Sequence, residues 1–139
     1  MARPTLELRS AESVFHDGSM SRVYGKLSVE IGSAYLTNQR FMRFEQSSGL
    51  QVLIGLFAFL VKDKPDFEVA LSEIKSLARG KQGINKNVIM MTLHDGTEYK
   101  LICTKFDDWM RAFEEAYRAN GRYSLNSLGA DHWATQPLS

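Results

Sequence analysis

The chain has little cysteine, proline or histidine: one Cys, three Pro and three His in 139 residues. A lone thiol, Cys103, excludes an intramolecular disulfide framework and a cysteine-built structural zinc site, which needs several sulfurs at set spacing. A reducing, cytoplasmic setting is expected. His16, His94 and His132 show no His-x-x-x-His or His-Cys spacing that would present two ligands on one helix face, so no metal is expected. Charge of one sign is not in excess either. The 17 Lys and Arg stand against 16 Asp and Glu, too balanced for global capture of nucleic acid, and no nucleic-acid partner is expected. No uncharged run reaches the roughly 20 residues of a membrane-spanning helix, and Met1 to Ser10 contain no apolar core of a secretory leader. Phosphate-loop, dinucleotide, nucleophile-elbow and calcium-loop patterns are all missing. The carboxylate pairs Asp107-Asp108 and Glu114-Glu115 are neighbours on a helical pattern and diverge, and Cys103 closes an alternating strand where burial is expected. No catalytic residue and no cofactor follow from these residues, and the chain is read as a non-enzyme.

What is present is the composition of one globular domain: 44% hydrophobic, 11% aromatic and 24% charged residues. Residues 12–17 and 21–31 suit strands joined by a turn at Asp17-Gly18-Ser19, with Val23, Val29 and Ile31 sharing an apolar face. Ala34 to Thr37 and Arg40 to Phe44 form a hairpin through Asn38-Gln39. Residues 66–70 and 74–78 read as short strands around a Leu71-Ser72-Glu73 turn. The stretch 88–93, then His94-Asp95-Gly96, then 97–103 is the clearest hairpin, because Asp-Gly supplies the positive-φ positions of a tight turn. The period then becomes helical. Trp109, Ala112, Phe113, Ala116 and Tyr117 share a face, Asp107 and Asp108 suit the helix N-terminus, and Asn120-Gly121 suits its stop. Residues 1–12 are an arm, 13–121 the domain, and 122–139 a tail without sustained period, expected to be loosely docked or disordered, which Trp133 could anchor.

Several strands closed by one amphipathic helix with Trp in its first turn resemble the pleckstrin-homology superfold, a bent barrel of about seven strands capped by a C-terminal helix. The stretch Gly32-Ser33-Ala34-Tyr35-Leu36-Thr37-Asn38-Gln39-Arg40-Phe41 resembles the signature of GRAM domains, a branch of that superfold. Leu71 to Leu77, Asp95-Gly96 before Tyr99, and Asp107-Asp108-Trp109 are similar to further parts of the family pattern. The resemblance spans about 13–119 and implies a non-catalytic module that binds membranes, lipids or protein partners, placed in the cytoplasm or peripherally on the inner face of a membrane.

Two features depart from an ordinary barrel connection. Residues 50–61 are uncharged, with Leu50, Leu53, Ile54, Phe57, Leu60 and Val61 as apolar contacts, and a short extra helix is expected there between strands. Such a segment requires burial in the core, in a homo-oligomer or protein-partner interface, or in a membrane. Lys62 and Lys64 follow it directly. Between Glu73 and Asp95 every charged residue is positive: Lys75, Arg79, Lys81 and Lys86. With Gly80 and Gly83 making 79–87 a loop, these cations are candidates for an anionic headgroup or membrane face, against the plainer reading of a solvated loop. The competing function is a self-assembling or protein-binding module with 50–61 as its interface. Arg40 and Arg43 lie beside Phe41 and Phe44, but alternation puts Arg40 and Met42 on one face and Phe41 and Arg43 on the other, so cations and aromatics form no single platform and a nucleic-acid face is not expected.

Overall fold

A computed structural model describes residues 8–25, 28–45 and 65–138 of the chain. The expected inserted helix at 50–61, with Lys62 and Lys64, lies outside these residues. Among the described residues, ten strands and one α-helix follow in order. They are β1 (Val14–Tyr24), β2 (Ser28–Glu30), β3 (Gly32–Thr37), β4 (Arg40–Glu45), β5 (Phe67–Ala70), β6 (Ile74–Gln82), β7 (Asn85–Leu93) and β8 (Glu98–Cys103). After these come α1 (Phe106–Asn120), β9 (Tyr123–Gly129) and β10 (His132–Pro137). The strands form one antiparallel array in the order β5-β4-β3-β1-β8-β7-β6-β10-β9, with β2 also paired to β1. Ile31 alone separates β2 from β3, so the part before the helix is the expected seven-strand arrangement with one strand broken.

β1 is the hinge of the array. Its first half pairs with β3 and its second half with β2 on one edge and β8 on the other. The turn expected at Asp17-Gly18-Ser19 is not there: these three residues pair with Tyr35, Ala34 and Ser33 inside β1. The chain turns after Tyr24 instead, where Gly25 takes a left-handed φ of 61°. Val23 is buried as expected, but Val29 and Ile31 are exposed at the break between β2 and β3. Near the break Arg43 binds two backbone carbonyls. Its Nε donates to the Met20 carbonyl at 3.0 Å and its Nη2 to the Glu30 carbonyl at 2.5 Å.

That guanidinium needs room, and Gly32 provides it. A Cβ at position 32 would meet Arg43 Nη2 at 2.8 Å and press on the Phe44 carbonyl. Because backbone cannot yield cheaply, Gly32→Ala is expected to lower stability by about 1–3 kcal/mol. A thermal melt checks this, and an unchanged melting temperature would refute the packing argument.

The helix packs its predicted face inward: Trp109, Ala112, Phe113, Ala116 and Tyr117 are all buried. Phe41 stacks on Phe113 at 5.8 Å and His16 meets the Trp109 ring edge-on at 4.5 Å, joining β4, β1 and α1 in one core. Tyr117 donates its hydroxyl to the Leu71 carbonyl at 2.8 Å, and burial pushes its pKa upward. The helix stops at Gly121, with φ 77°. Beyond it the tail, which has no sustained period in sequence, forms the β9–β10 hairpin. β10 pairs with β6, placing Trp133 5.9 Å from Phe106. Pairing with β6 covers a sheet edge that would otherwise expose unpaired backbone groups.

Candidate anion-binding hairpin

The segment 79–87, expected as a loop, is a strand pair closed by Gly83 and Ile84. Gly80 pairs with Val88, Gln82 pairs with Asn85, and Gly83 has φ 62°. Gly80 is required by its neighbour, since a Cβ there would lie 2.7 Å from Met90 Cγ. Between the two backbone pairs the register shifts, setting Lys81 opposite Lys86 and Asn87. The pair projects past its neighbours. β10 reaches only Ala78 on β6, with the Arg79 N–H donating to the Asp131 carbonyl, and β8 reaches only Val88 on β7.

The base of the projection is tied down by Asn87. Its side-chain oxygen accepts from the Phe106 N–H at 3.1 Å, and its carbonyl accepts from the Cys103 thiol at 3.5 Å. Asn85 Oδ1 accepts from the Asn87 N–H at 2.9 Å, bracing the turn. The bond to Phe106 also brings Lys105, exposed at the start of α1, to the base of the hairpin. Lys81 and Lys86 are exposed and have no ion-pair partner among the described residues. Two like charges this close in the hairpin offer an external anion two cationic partners.

The structure separates the other two candidate cations from this pair. Lys75 sits at the far end of β6, one residue from the Ile74–Leu93 pair. Arg79 is taken up internally: Nη2 donates to Asp107 at 3.1 Å, Nη1 lies 3.7 Å from Asp131, and its guanidinium is 4.2 Å over the Phe106 ring. It fastens the β9–β10 turn to the start of α1. Lys105 and Ile84 are the residues that reading the sequence missed. Lys105 arrives through a contact distant in sequence, whereas an isoleucine next to Gly83 in a polar turn was a visible signal.

Other clusters are structural. Arg40 is buried, with Nε 2.8 Å and Nη2 3.0 Å from the Glu12 carboxylate and Nη1 2.6 Å from Glu68. Glu30, Glu45 and Asp66 bring carboxylate oxygens within 4.8 Å of one another. Arg43 and Arg22 already bind Asp66 at 2.7 and 3.0 Å, offsetting that negative charge. Burial pushes the Cys103 thiol up to about 11, so it stays protonated and is a poor nucleophile at neutral pH. A cleft of about 580 Å³ at the β3–β4 turn and the end of α1 is lined by Arg9, Gln39, Asn120 and Arg122 among others.

A bent antiparallel array with one helix packed inside it is the pleckstrin-homology-like architecture, and solved structures agree. The chain is similar to the C-terminal domain of an unknown protein from Leishmania infantum, at 17% identity over 78% of this chain and 87% of that one, with a TM-score of 0.56. It is also similar to the Slm1 pleckstrin-homology domain in complex with phosphoserine, at 15% identity, 78% and 96% coverage and a TM-score of 0.52. Another structure of that domain, described as binding ligand in a non-canonical site, matches at 13% identity, 77% and 97% coverage and a TM-score of 0.53. No family model matches the chain, and no curated protein matches it in sequence. At these identities the likeness establishes the fold.

Proposed function

We propose that the protein is a non-catalytic binding module of GRAM type that takes phosphate-bearing anionic headgroups at a membrane surface through Lys81 and Lys86, with Lys105 beside them. The observation that carries this reading is the pair of exposed lysines, without an ion-pair partner among the described residues, on opposite strands of a projecting, braced hairpin. Lysine acts as a point charge toward phosphate, and near an anionic membrane each contributes about 1 kcal/mol. That a domain of this fold holds phosphoserine supports the choice of ligand class. The GRAM assignment rests on the Gly32 to Phe41 stretch, in which Gly32 clears space for Arg43 and Arg40 holds Glu12.

Cosedimentation with phosphatidylcholine vesicles, with and without phosphatidylserine, tests the proposal. Wild type is expected to bind only the anionic vesicles and to be released by salt. The double variant Lys81→Glu, Lys86→Glu is expected to bind at least about 30-fold more weakly, from two lysine contributions alone, while Lys75→Glu binds like wild type. Equal binding by the double variant would assign any membrane contact to a different surface. Failure of wild type to bind at low salt would favour a protein-binding or self-assembling module.

A further inference from the structure

Resting on that reading, we infer that the β6–β7 hairpin penetrates the bilayer, with Ile84 as its apolar tip and Lys81 and Lys86 stopping at the phosphate level. Ile84 is 100% exposed, the most exposed large apolar side chain among the described residues. Its setting distinguishes it from Val29 and Ile31. Val29 and Ile31 flank Glu30, whose carboxylate lies in the group with Glu45 and Asp66, three acids against the two arginines that pair with Asp66, so that cluster is not cationic. Ile84 is bracketed by cations instead, with no Asp or Glu anywhere between Glu73 and Asp95.

The dimensions of the hairpin match the bilayer interface. Ile84 lies two residues from Lys86 and three from Lys81, which at about 3.3 Å per residue puts it at most about 10 Å ahead of the lysine backbone positions along the strands. Interfacial segments bury their apolar face about 5–10 Å into the boundary between headgroups and acyl chains. Lysines level with the phosphates therefore leave the isoleucine level with the upper acyl chains. The tip is also ordered beforehand. The Gln82–Asn85 pair closes it, Gly83 supplies the left-handed residue, and Asn87 ties the base to α1. Little conformational freedom remains to be lost on insertion. A soluble headgroup needs the lysines only; an anionic membrane offers negative charge for the lysines and apolar burial for the isoleucine at once, which makes it the occupant we infer.

The test places an environment-sensitive fluorophore on Ile84→Cys. Cys103 is buried, so labelling of the folded protein is directed to position 84, and His94→Cys at the opposite turn of β7 is the control. With phosphatidylserine-containing vesicles, the label at 84 is expected to shift to the blue and to be quenched most strongly by lipids carrying a shallow acyl-chain spin label. The label at 94 should do neither. Ile84→Ser should weaken partition about tenfold or more from the lost apolar burial, with affinity for soluble phosphoserine unchanged. An aqueous spectrum at 84 on protein that sediments with vesicles would overturn insertion and leave headgroup binding standing. Absence of wild-type sedimentation would remove both. A concentration-dependent blue shift without vesicles would assign the tip to a second copy of the chain and likewise overturn the proposal.

Discussion

Replacing Arg43 with methionine is expected to destabilise the protein by about 3–5 kcal/mol, the usual cost of removing one member of a buried, hydrogen-bonded ion pair. The side chain is completely buried. It donates to the Met20 and Glu30 carbonyls and pairs with Asp66 at 2.7 Å, so its removal leaves two backbone acceptors and a carboxylate inadequately served. Met20 lies where β1 changes partners and Glu30 just before the interruption at Ile31, so the loss falls at the bend of the sheet. Lysine is not expected to rescue, because one ammonium cannot reproduce a guanidinium directed at partners on β1, β2 and the residue before β5. Urea denaturation of wild type, Arg43→Met and Arg43→Lys measures the effect. A loss below 1 kcal/mol in the methionine variant would show that the bend is held by side-chain packing instead.

Acid is expected to weaken the fold through Glu12. Burial alone would raise its pKa, but hydrogen bonds from the Arg40 guanidinium, the Arg9 N–H and the Thr37 hydroxyl, with the charge of Arg40, bring it from an ordinary 4.5 down to about 2. A carboxylate whose folded pKa is depressed stabilises the protein fully above its unfolded value and loses that contribution as pH falls through the folded value. The window is therefore pH 4.5 down to about 2, and the loss across it is about 3 kcal/mol. Glu12→Gln should lose most of this at neutral pH and flatten the acid limb, since its amide cannot ion-pair with Arg40. Urea midpoints from pH 7 to 2 give the comparison. Parallel curves for the two proteins would show that another carboxylate governs the acid response. Glu12 belongs to the expected N-terminal arm, yet its side chain is fully buried against β4.

Local chemistry made several elements legible in advance. The helix face from Trp109 to Tyr117 follows from a 3.6-residue period, and Asp95-Gly96 marks its turn because Gly96, with φ 93°, occupies a conformation that other residues rarely adopt. The Gly32 to Phe41 pattern could be recognised as a resemblance, but the reasons for its Gly and Arg emerged only with Arg43 and Glu12 in place. The apparent Asp-Gly-Ser turn in β1 failed because a strand with a partner along its edge satisfies those backbone groups without turning. The β9–β10 hairpin was invisible because its apolar residues are few and gain burial only against β6 and α1. Among the cations, four equal candidates along one stretch became two opposed lysines, one distant lysine and one arginine bound to Asp107 and Asp131. The amino-acid order by itself determined the fold class, the helix and the late hairpin, because periodicity and turn chemistry act over a few neighbouring residues. Only tertiary structure decided which charges are spent inside the protein and which face solvent, because ion pairing and burial depend on residues brought together from distant parts of the chain.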